Sequence, residues 1–64
     1  MYDQHEYMRA GRAAKILGVD YKMIVGLIIA GKIDGHKTVG RSGHHVWVAL
    51  NADVKRLRRQ IGGA

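Results

Sequence analysis

The chain has 64 residues, with 11 Lys and Arg against 5 Asp and Glu, 4 His and no Cys, for a formal net charge of +6. A chain this short buries only about 60% of the surface it exposes when unfolded, too little for a core and a deep catalytic cavity together, so an enzyme is not expected. Disulfides, Cys-ligated zinc and thiol chemistry are excluded, and the longest apolar stretch, Met23–Gly31, is too short to cross a bilayer.

The excess of positive charge points to a polyanionic partner, with nucleic acid ahead of an acidic membrane surface. The basic and apolar residues do not form one long amphipathic helix, which argues against membrane binding. No charged start followed by an apolar run opens the sequence, so no secretory signal is read and a cytoplasmic location is expected.

Residues 1–8 are polar and without a period, and Asp3 and Glu6 make them net acidic. They read as a flexible N-terminal arm. The first helix is expected from Arg9 to Leu17, where Ala13, Ala14 and Leu17 make a narrow apolar stripe. Gly18 suits the left-handed end of that helix. Val19 can pack back onto it, and the Asp20 side chain can cap the next helix.

The second helix is expected from Tyr21 to Ala30, with Ile24, Leu27 and Ile28 as its buried face. Val25 and Ile29, one turn apart on its outer side, are either covered by another element or free for contact. His36–Val39 and His44–Val48 are β-prone runs around the turn signal Gly40–Gly43, which reads as a two-stranded hairpin with a basic tip. His45, Trp47 and Ala49 share one side of its second strand, and Val46, Val48 and Leu50 share the other, so the inward face is left open. Trp47 reads as a core anchor. Asn51 can cap a last helix with the apolar stripe Val54, Leu57 and Ile61, and residues 62–64 read as a frayed tail.

Two helices joined by a short Gly-containing turn and followed by a basic hairpin describe a winged helix-turn-helix over residues 9–61. The expected class is mainly α with a small β-hairpin. In such domains the second helix enters the major groove with its N-terminal residues nearest the bases. That places Tyr21, Lys22, Val25 and Gly26 toward DNA, with Gly26 permitting close approach. Lys37, Arg41, His44 and His45 surround the wing tip, where Arg41 suits a narrow minor groove. Arg12 and Lys15 are candidate phosphate contacts, and Arg56 and Arg59 are candidates for phosphate or a protein partner.

Two other patterns carry less. His36, His44 and His45 do not make a metal site, because neighbours on a strand face opposite ways and no Cys or placed carboxylate completes the set. Gly26 to Lys32 fits the start of a phosphate-binding loop, but Ile33 stands where Ser or Thr must hold magnesium. No cofactor is expected.

The run Ala13-Ala14-Lys15-Ile16-Leu17-Gly18-Val19-Asp20 resembles the opening of the small winged helix-turn-helix domains of the MerR superfamily. Gly31-Lys32-Ile33 resembles the step after their recognition helix, and the hairpin and the Asp53-Val54 helix start follow in the expected order. The similarity covers residues 9–60. Stand-alone domains of this size in that superfamily are phage excisionases, also called recombination directionality factors, and short MerR-like transcription regulators. The resemblance implies an architectural protein in the cytoplasm of a bacterial host. Copies side by side would bend attachment-site DNA and direct a phage integrase towards excision. A transcription regulator is the alternative, and a protein-interaction module is a third reading from a different class.

Overall fold

Among the described residues six elements follow one another: strand β1 (Tyr7–Arg9), helices α1 (Ala10–Leu17) and α2 (Tyr21–Ile29), strands β2 (Gly35–Val39) and β3 (His45–Leu50), and helix α3 (Asn51–Ile61). The structure, a computed structural model, describes residues 2–61. Its three helices stand with one antiparallel sheet in the order β1-β3-β2.

Helix α1 buries Ala10, Ala13, Ala14 and Leu17. The three alanines keep that side slim, and α1 packs against both α2 and α3, which share no substantial contact with each other. Gly18 ends α1 in the left-handed region at φ 69°. The Val19 N–H then donates to the Ala14 carbonyl at 3.0 Å, and Val19 packs on the core as anticipated.

Asp20 occupies the cap position of α2, but its side chain makes no capping bond. Its carbonyl accepts from the Met23 and Ile24 N–H groups at 3.0 and 3.2 Å. The expected side-chain cap is therefore absent, and burial of Ile24 and Ile28 anchors the helix instead. Past α2, Gly31 at φ 77° turns the chain so that Ile33 enters the core, 1% exposed.

Residues 1–8 depart from expectation. They are not a loose arm over their described length: Tyr7 and Met8 belong to β1 and pair with Leu50 and Ala49 of β3. The Asn51 N–H donates to the Glu6 carbonyl at 2.8 Å, and its side-chain amide donates to the His5 carbonyl at 3.2 Å. Three residues without a period carry no strand signal alone. They pair because the β3 edge would otherwise leave backbone groups unsatisfied. The sheet thus has three strands where two were expected. Asn51 serves this tether rather than capping α3 with its side-chain oxygen, which is buried without a partner. The frayed tail read at residues 62–64 lies outside the described residues.

The register settles the hairpin's faces. Met8, Gly35, Trp47 and Ala49 share the side toward the helices, while Tyr7, Arg9, His36, Val48 and Leu50 share the other. Ala49 joins the main core and Trp47 packs against it, half-buried. Val48 is also fully buried, on the opposite side, flanked by Arg9 and His36 as cross-strand partners. There the His36 ring meets Tyr7 edge-on with centroids 5.0 Å apart. Among the described residues no cluster of three metal-binding side chains forms.

On α3, Val54 is buried and Leu57 half-buried. Ile61 is 60% exposed, so the anticipated stripe stops one turn short of the helix end. No helix among the described residues is long and apolar enough to cross a membrane.

Candidate nucleic-acid interface

The outer side of α2 is uncovered. Lys22 and Gly26, one turn apart, are both exposed, and no atom stands within 4 Å of the Cβ position at Gly26. Tyr21 is 49% and Met23 55% exposed, and Ile29 reaches 70%. Val25 is half-buried and packs on the core. Of the two apolar residues whose covering was in question, Val25 is thus partly covered and Ile29 is not.

The β2–β3 hairpin runs through five cross-strand pairs from Gly35↔Ala49 to Val39↔His45. Its connection is closed by the Gly40 N–H donating to the His44 carbonyl at 2.8 Å, and Gly43 takes φ 83°. Lys37, Arg41, His44 and His45 are all exposed. Lys37 and His45 lie on the helix-facing side of the sheet, and Lys37 sits directly opposite Trp47. The tip therefore presents cations and imidazoles with no covering element.

Folding sets the cations at the start of α1 beside residues from α2 and the hairpin. A cleft of about 490 Å³ is lined by Arg9, Arg12 and Lys15 together with Tyr21 and Trp47. A smaller one of about 230 Å³ sets Arg9 beside Arg41 and Tyr2. Arg12, Lys15 and Tyr21, singled out separately in the sequence, thus border one concavity. Tyr21 and Trp47 give it aromatic walls and the cations give it a basic rim suited to phosphate contact.

Arg9 went unrecognised as a site residue, because it reads only as the first residue of the expected helix. It stands at the end of β1, where its Nε donates to the Tyr2 hydroxyl at 3.3 Å. On α3 the pattern also differs from expectation. Arg56 pairs with Asp53 at 3.2 Å and Arg59 is exposed, whereas Lys55 and Arg58 line a cleft with Arg9 and Arg12. The signal lay in the helical period: Arg58 and Lys55 follow round from buried Val54 on one side, whereas Arg56 and Arg59 fall on the face opposite it.

Compared with protein-family models, with characterised proteins and with solved structures, the chain finds no match in any of the three.

Proposed function

We propose that this chain is a double-stranded DNA-binding architectural protein with a winged helix-turn-helix fold. In this reading α2 enters the major groove, which is wide enough to admit a helix. Lys22 neutralises a phosphate or meets a guanine edge, and Gly26 lets the duplex come close. The β2–β3 hairpin acts as the wing, with Arg41 at the flanking minor groove. Val25, Ile29 and Gly26 offer no side-chain hydrogen bonds to base edges, so backbone contacts supply most of the affinity. Specificity then comes from several protomers side by side and from the sequence-dependent cost of bending.

The observation that carries the reading is an uncovered α2 whose first residue, Tyr21, shares a cleft with Arg9, Arg12 and Lys15, while Arg9 lines a neighbouring cleft with Arg41 of the hairpin. The more specific role we assign is that of an excisionase, which bends attachment-site DNA and turns a phage integrase towards excision without performing chemistry itself. The small size and the MerR-like order of elements support that role over an enzyme.

The test is fluorescence anisotropy of a labelled duplex titrated at increasing salt. Neutralising about four phosphates gives a slope of log K against log salt near −3.6. A slope near zero, or no binding at low salt, would refute DNA binding. Footprinting on attachment-site DNA with and without integrase then separates excision from plain transcription control, because only excision requires the two proteins to extend each other's footprints.

A further inference from the structure

On the α3 side of α1, across that helix from α2, lies the second cleft of about 490 Å³. Its rim carries Arg9, Arg12, Lys55 and Arg58, contributed by β1, α1 and α3. Its lining also includes three apolar side chains, Met8 and Ile16, which are half-buried, and Val54, which is fully buried. Of the five acidic residues in the chain none lines it. Among the described residues the one ion pair is Arg56–Asp53, so all four rim cations lack a carboxylate partner. Gathering four like charges around one concavity is self-repulsive, and an anionic guest relieves that repulsion.

We propose that this cleft binds an acidic peptide segment of a partner protein, in which carboxylates flank a large apolar side chain. The carboxylates meet the arginine forks, which hold them in bidentate geometry. The apolar side chain covers Met8, Ile16 and Val54. A bare phosphate fits less well, because it would engage the rim cations but leave Met8, Ile16 and Val54 uncovered, and the volume far exceeds one phosphate group. The inference needs no duplex and so stands apart from the DNA reading, although Arg9 and Arg12 also line the cleft beside Tyr21 and Trp47.

The experiment is anisotropy of a fluorescein-labelled peptide, Glu-Asp-Leu-Phe-Glu-Asp, against the full chain at fixed salt and without DNA. Arg12→Gln with Arg58→Gln should weaken binding by about tenfold or more, whereas Arg56→Gln with Arg59→Gln, which removes the same charge elsewhere on α3, should change it by less than about twofold. Lys55→Gln alone provides an independent third variant with the same expected direction, and melting curves establish that each is folded. Replacing Leu-Phe by Ser-Ser in the peptide should also cost about tenfold. Equal losses in the two double variants would reduce the effect to net charge and overturn the site. Unchanged affinity of the Ser-Ser peptide, or displacement by inorganic tripolyphosphate at concentrations matching the peptide's own, would overturn the apolar anchor. Loss of duplex binding by itself bears only on the DNA reading.

Discussion

The Asp34 N–H donates to Oδ2 of Asp53 at 2.8 Å, which ties the segment before β2 to the first turn of α3. The other carboxylate oxygen of Asp53 meets Arg56 at 3.2 Å. The two contacts differ in worth. The Asp53 side chain is 15% exposed and its bond satisfies a backbone donor, whereas the Arg56 side chain is 61% exposed and its pair is screened by water. Asp53→Ala should therefore lower stability by about 1–3 kcal/mol, since it also removes a negative charge from the helix start. Arg56→Ala should cost less than about 0.5 kcal/mol. Denaturant midpoints of the two variants check this, and equal losses would contradict the ranking.

Two glycines should respond in opposite directions. A Cβ at Gly35 would run into the Val48 carbonyl and also sit 3.1 Å from Cγ1 of Ile28. Backbone cannot yield there, so Gly35→Ala should cost about 1–3 kcal/mol. At Gly26, inside α2, the space is open, and Gly26→Ala should stabilise the free protein by about 0.5–1 kcal/mol. If the duplex approaches at Gly26, that same stabilised variant should bind DNA more weakly. A gain in both melting temperature and affinity would move the duplex off this part of α2.

The two sides of α2 are separated by a single substitution type. Ile24 is 0% exposed and Ile29 is 70% exposed. Ile24→Asp buries an unpaired carboxylate and should leave the chain unfolded by circular dichroism. Ile29→Asp should melt within a few degrees of the parent, because its side chain already stands in water. Cooperative melting of the Ile24 variant at the parent temperature would show the helix faces to be assigned the wrong way round.

Lys22→Ala and Arg41→Ala test the proposed contacts directly. Both residues are exposed and neither forms an ion pair among the described residues. Each should leave the melting temperature in place, reduce duplex affinity across all sequences, and flatten the salt slope by about one phosphate. Unaltered affinity in both would remove α2 and the hairpin tip from the interface.

The helices and the hairpin were legible in the sequence. Ala13, Ala14 and Leu17 recur at helical spacing, Gly18 permits the left-handed stop, and Gly40 to Gly43 interrupts two β-prone runs. These are local signals, set by the conformations that a few neighbouring residues can adopt. The third strand was not legible, because Tyr7–Arg9 has no pattern of its own and becomes a strand only beside the free edge of β3. The inward side of the hairpin depended in the same way on which face the helices would cover, chiefly α1 and α3. Asn51 looked like a cap and became a tether, since the carbonyls at residues 5 and 6 arrive beside it only in the folded chain. The charge of +6 was a property of the sequence. That Arg9, Arg12, Lys55 and Arg58 share one rim was decided by the packing of α1 against α3, which no spacing along the chain records.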